Sequence, residues 1–172
     1  MMMRMLEAGG MTVLTDGIRT ADEDNPKGYY EFERVKQIEQ DTEWLDDARG
    51  KAVKMIAALL KHLPPNYDYE IVFMRRDIRE VLASQRRMLV HRGETPDTVS
   101  DARMAELFKS HLKRVESWLA EQPNMSVLFM DHGCVLADPQ EQARRVSEFL
   151  TYPLDAQAMA AVVDRTLYRQ RR

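Results

Sequence analysis

Residues 69–84 read Tyr-Glu-Ile-Val-Phe-Met-Arg-Arg-Asp-Ile-Arg-Glu-Val-Leu-Ala-Ser, and no other stretch constrains the fold as tightly. The apolar run Ile71 to Met74 has the length of a buried strand, ends in Arg75 and Arg76, and passes at once into helical spacing. Strand followed directly by helix is the repeating unit of an open α/β sheet, where ligands bind beyond the carboxyl ends of the strands. Guanidinium groups at such an end, beside the N–H groups of a helix's first turn, suit a phosphate or sulfate. The other reading of Arg75, Arg76, Arg79, Arg86 and Arg87 is a solvated basic helix face paired with Asp77 and Glu80.

Charge is distributed in a way that favours a small anion over a polymer. The net charge of −3 gives no global attraction for nucleic acid or acidic lipid, so neither is an expected partner. Residues 75–92 nevertheless hold six arginines against Asp77 and Glu80, while residues 16–47 lean acidic. At 172 residues the length suits one domain with a sizeable core. Cys134 is the only cysteine, which rules out an intrachain disulfide and points to a reducing, cytoplasmic compartment. Asp131 and His132 lie near it, but Gly133 and the strand-end setting suggest a partly buried loop thiol rather than a nucleophile. No apolar run approaches the ~20 residues of a membrane span, and the first residues lack the pattern of a secretory signal. No His, Cys or carboxylate spacing argues for a metal.

Strand and helix patterns alternate along the chain. Residues 1–10 read as the second half of a helix stopped by Gly9-Gly10, and Val13-Leu14 as a short strand. Residues 22–31 are a turn-rich loop, and Phe32 to Leu45 reads as a helix. Ala52 to Ile56 is the next strand, running into 57–62, and Pro64-Pro65 breaks the chain before the strand at Tyr69. Residues 78–92 form a helix closed by Gly93. Thr98 to Gln122 is the clearest helix, with Met104, Leu107, Phe108, His111, Leu112, Val115, Trp118 and Leu119 on one stripe. His111 on that stripe reads as a packed core residue. Ser126 to Met130 is a further strand, and helices are expected over 139–150 and 155–164.

The spacing of Arg76 and Ser84 also carries a resemblance. Arg-Asp-Ile-Arg-Glu-Val-Leu-Ala-Ser resembles the Arg-x-Pro-x-x-Val-x-x-Ser signature of sulfotransferases, with Ile78 in the proline position. Asp24-Asn-Pro-Lys-Gly-Tyr-Tyr-Glu31, the run Val127-Leu-Phe-Met-Asp131 with Asp138-Pro139 beyond, and the terminal Leu167-Tyr-Arg-Gln-Arg-Arg172 are similar to segments of bacterial members of that family. The resemblance implies a single domain over residues 1–172. Its fold would be three-layer α/β/α with a mostly parallel sheet of the P-loop NTPase type. It further implies 3′-phosphoadenosine 5′-phosphosulfate (PAPS) as sulfuryl donor, no metal, and a small-molecule or carbohydrate acceptor bearing a hydroxyl or amine.

Residue roles follow from the same resemblance. Arg76 and Ser84 would hold the 3′-phosphate, with Arg169 and Arg171, and Arg172 beside them, folding back to help; a solvated tail is the alternative for those three. Sulfuryl transfer needs cation stabilisation and a base near the acceptor. Glu31 is the first candidate base, the alternative being a cap on the helix at Phe32; Asp16, after the Val13-Leu14 strand, is the second. His132 follows a strand end without a supporting pattern. In the family a strand and a Gly-rich phosphate loop precede the first helix, and no Gly-x-x-x-x-Gly-Lys-Ser/Thr pattern occurs in this sequence. The chain is therefore expected to be N-terminally incomplete, starting at an internal methionine, with negligible catalysis on its own. A central strand's loss leaves unpaired amides that cost about 1–3 kcal/mol each, unless the sheet rearranges to close the gap. A nucleotide-dependent phosphotransferase of the same fold and a non-catalytic anion-binding protein are the rival readings.

Overall fold

The computed structural model describes residues 1–19, 21, 28–91, 93 and 100–164, with the side chains of 87, 88, 90 and 91 outside that set. Helix α1 (Met2–Ala8) leads into β1 (Val13–Leu14). A 3-10 turn (Glu33–Gln37) and α2 (Trp44–Asp47) precede β2 (Ala52–Val53). A second 3-10 segment (Ala57–His62) precedes β3 (Tyr69–Arg75) and α3 (Ile78–His91). Then come α4 (Asp101–Leu119), β4 (Met125–Asp131), α5 (His132–Ala137), α6 (Pro139–Phe149) and α7 (Ala156–Ala161). No helix among the described residues is long and apolar enough to cross a membrane.

The strands form two parallel pairs, β1 with β2 and β3 with β4. Tyr69 to Arg75 match Met125 to Asp131 residue for residue, and both runs are apolar because both faces are covered. One face of both pairs packs on a common core. Val13 and Ala52, like Val72, Met74, Leu128 and Met130, share a cluster with Met5 of α1, Val146 of α6 and Met159 of α7. The opposite faces differ. Leu14 and Val53 meet Val35, Ile38 and Trp44, whereas Phe73, Val127 and Phe129 meet Leu119 and Leu112 of α4. The amino ends of β2 and β3 lie together, since the Tyr67 hydroxyl donates to Asp46 at 3.1 Å and Arg49 stacks on the Tyr67 ring at 4.7 Å. The chain is thus α/β with helices on both faces of parallel strands. The expected sheet is split, and a cavity of about 940 Å³ lies between β2 and β3.

Three local expectations need correction. Residues 32–45 do not make one helix: the 3-10 turn ends near Ile38 and α2 begins at Trp44. Asp41 accounts for the break, because its carboxylate accepts from Arg34 at 2.7 and 2.8 Å and from the Glu43 amide at 3.2 Å. Such local side-chain bonds offer the backbone an alternative to the helix ladder. The strand from Ala52 is two residues long, and residues 57–62 are 3-10. Residues 132–137, expected as a loop, form α5, because Asp131 accepts from the Gly133 and Cys134 amides at 2.8 and 3.2 Å. Cys134 is therefore an exposed helical thiol rather than a partly buried loop residue. Leu107 leaves the α4 stripe and is 47% exposed.

Candidate functional site

The carboxyl ends of β3 and β4 and the loop at residues 28–31 enclose one mouth of the cavity. Arg76, His132, Tyr30 and Arg4 all line it. Successive strand residues point to opposite faces, and the two arginines at the end of β3 part accordingly. Arg75 turns to α4, where its guanidinium meets Glu116 at 2.9 Å and stacks on Phe129 at 4.0 Å. Arg76 turns to the cavity.

Arg76 does not stand alone there. Its Nε donates to Glu80 Oε2 at 3.0 Å, one helical turn on. The Asp77 carboxylate accepts from the Arg79 amide at 2.8 Å and so caps the start of α3. Ser84, two turns along α3, is exposed. Arg86 pairs with Asp101 of α4. The arginine-rich stretch is thus partly the paired helix face of the plainer reading, with Arg76 its cavity-facing member among the described side chains. Arg169, Arg171 and Arg172 lie outside the described residues, as do residues 24–27 of the Asn-Pro-Lys loop.

The two carboxylates expected as bases are both engaged. Glu31 Oε1 accepts from Arg19 Nη1 at 3.1 Å and from Lys54 Nζ at 3.4 Å. Lys54 also donates to the Tyr29 carbonyl at 3.0 Å, and Arg19 stacks on the Tyr29 ring at 3.4 Å. These contacts fasten the loop to the end of β2. Glu31 makes no cap on the following turn. That role falls to Asp16, whose Oδ2 accepts from the Glu33 amide at 2.5 Å and whose Oδ1 accepts from the Ile18 amide at 3.0 Å. Those two amides hold the Asp16 carboxyl below its usual range, which makes it a weaker base.

Two other side chains are better exposed to the cavity. His132, the residue after β4, is half-buried, and burial followed by the nearby Arg76 charge lowers its pKa. It is therefore neutral at pH 7 and able to accept a proton. Tyr30 has φ +53°, rare for a side-chain-bearing residue, and its hydroxyl donates to Glu7 of α1. Burial and Glu7 push its pKa up to about 12, so it stays a protonated donor. The strand-end rule that singled out Arg76 also points at His132; nothing local in the sequence marks Tyr30 beyond its neighbour Gly28 at φ +82°. Among the described residues no group of three or more His, Cys, Asp or Glu is placed to hold a metal ion. Residues 18–156 match the sulfotransferase family. No curated protein and no solved structure matches the chain.

Proposed function

The chain belongs to the sulfotransferase family, and from that premise we propose that it handles PAPS as sulfuryl donor for a hydroxyl or amine on a small-molecule or carbohydrate acceptor. The observation that carries this reading is Arg76 leaving β3 into the cavity mouth, with Ser84 on the helix that follows. In this reading Arg76 and Ser84 take the 3′-phosphate. The Glu80 contact is no obstacle. A partly exposed i,i+4 pair contributes about 0.3–0.5 kcal/mol, whereas hydrogen bonds to a charged group contribute about 1.5–3 kcal/mol. Phosphate therefore displaces Glu80.

Sulfuryl transfer spreads negative charge over oxygens, so fixed cations at the mouth favour the transition state. Neutral His132, beside Arg76, takes the acceptor's proton. Glu31 and Asp16, held by cations and by amides, position the loop carrying Tyr30. Arg169 and Arg171 are further candidates for the 3′-phosphate. Titration calorimetry with 3′,5′-adenosine bisphosphate tests the proposal. Binding that Arg76→Ala weakens at least tenfold supports it. Equal affinity for ATP favours a phosphotransferase, and Arg76-dependent binding without turnover of PAPS favours a non-catalytic binder. Binding indifferent to Arg76 refutes the site.

A further inference from the structure

We propose that Arg75 and Glu116 are positioning residues: their ion pair, made on the reverse face of the β3–β4 pair, fixes where Arg76 and His132 stand at the cavity mouth. Its effect on phosphate rests on the donor site proposed above, whereas its effect on His132 does not.

The backbone shows why a hold is needed there. Arg75 is the last residue of the β3 ladder and lies opposite Asp131, the last of β4. Arg76 and His132 are the next residue on each strand, so they leave the ladder side by side, and both line the cavity. Helix α3 starts only at Ile78, with the Asp77 carboxylate on the Arg79 amide. Arg76 thus stands on a two-residue link between strand and helix. Its direction is set by whatever holds the residues on either side.

On the strand side, Arg75 supplies that hold. Side chains alternate along a strand, so Arg75 shares the α4 face with Phe73 and Phe129, whose rings lie 5.5 Å apart. Its guanidinium makes two contacts with Glu116, Nε to Oε1 and Nη2 to Oε2, each 2.9 Å. It also lies 4.0 Å over the Phe129 ring. Residues of β3, β4 and α4 therefore meet on one side chain. A lone exposed ion pair would restrain little, but a two-point fork fixes orientation as well as distance. The aromatic stack restrains the remaining direction. The pair also neutralises the cation next to Arg76, which leaves Arg76 as the guanidinium of the two that an anion at the mouth meets.

His132 reports on the arrangement without any ligand. Arg76, Glu80, Asp131 and the chain's amino group all bear on its charge, and burial together with Arg76 depresses its pKa. A strand end that drifts carries Arg76 away and admits water, and both changes raise that pKa. Loss of the Glu116 charge by itself acts in the opposite sense, because removing an anion disfavours imidazolium. The sign of the shift therefore separates positioning from a direct charge effect.

The test follows the His132 imidazole by NMR titration, with His132→Gln assigning its signal. Glu116→Ala is expected to raise the His132 midpoint by at least ~0.3 pH units. Arg75→Lys, which keeps the charge but loses fork and stack, is expected to do the same. Glu116→Gln, which keeps an acceptor for Arg75, is expected to leave the midpoint at or below the parent value. Calorimetry with 3′,5′-adenosine bisphosphate, at a temperature where each variant is folded, is expected to show binding weakened at least ~fivefold by the first two changes and within ~twofold of the parent in Glu116→Gln. A His132 midpoint that stays or falls in the folded Glu116→Ala and Arg75→Lys variants overturns the proposal, even where melting points drop, because the pair is then merely structural. Unchanged bisphosphate affinity in those variants overturns it too. A parent that fails to bind the bisphosphate refutes the donor site instead, and the His132 titration alone then decides.

Discussion

Replacing Glu80 by Gln removes the carboxylate that competes for Arg76 while keeping a good helix former on α3. Two effects of opposite sign follow. The unliganded protein loses the 3.0 Å contact between Arg76 and Glu80, whose side chains are 31% and 16% exposed. At about 0.3–0.5 kcal/mol for such an i,i+4 pair, and about 2–4 °C per kcal/mol for a domain of this size, the melting midpoint falls by about 1–2 °C. The bisphosphate complex gains. A phosphate seated on Arg76 lies about 5–6 Å from the Glu80 carboxylate, where like charges repel by about 0.7–3 kcal/mol for effective dielectrics from 80 to 20. Removing that repulsion tightens 3′,5′-adenosine bisphosphate by about tenfold, within a range of about 3- to 100-fold. Titration calorimetry at low salt measures it, and the gain shrinks at high salt as screening sets in. An unchanged or weaker affinity in Glu80→Gln, measured beside an Arg76→Ala variant that binds as well as the parent, refutes the placement of phosphate on Arg76.

His132 supplies a pH prediction. Its folded pKa lies below the unfolded value of about 6.5, so on acidification the unfolded state takes up the proton first. Stability is full above about pH 6.5 and falls as pH drops from there toward the folded pKa. Denaturation at pH 7.5 and 5.5 should show this slope in the parent and a shallower one in His132→Gln. Turnover that depends on neutral His132 holds through that window and declines only as pH falls through the lowered folded pKa. Asp16 behaves in the opposite region. Its folded pKa is depressed by the Glu33 and Ile18 amides, so its contribution is present above the unfolded carboxylate range and is lost as pH falls through the folded pKa. Asp16→Ala should lower the melting midpoint at pH 7, with the deficit closing below about pH 4.

What the sequence made legible has a common physical character. β3, β4 and α4 stand where their periodicity put them, because a run buried on both faces and a 3.6-residue stripe are decided by neighbours a few positions away. The features that escaped depend on contacts between distant residues. Asp16 caps a turn 17 residues on, and Glu31 is claimed by Lys54, 23 residues away; no local pattern distinguishes a free carboxylate from one so engaged. Asp41 breaks a helix that composition alone permits, since Arg34 holds it in a geometry that competes with the ladder. Alternation along β3 states that Arg75 and Arg76 part, but only the position of α4, with Glu116 waiting for Arg75, decides which of them reaches the cavity.

The same distinction explains the candidate site. Arg76 and His132 sit at strand ends, which sequence patterns locate, so the placement of both at the cavity was within reach of one rule. Its loop is held by long-range ion pairs and by the left-handed Tyr30, which such patterns do not resolve. The split sheet belongs to this second class. Each strand pair satisfies its own local signals, and the cavity between β2 and β3 becomes visible only from how the two pairs are placed. Strand ends bring the charged groups together, whereas the edges of β2 and β3 set the space beside them.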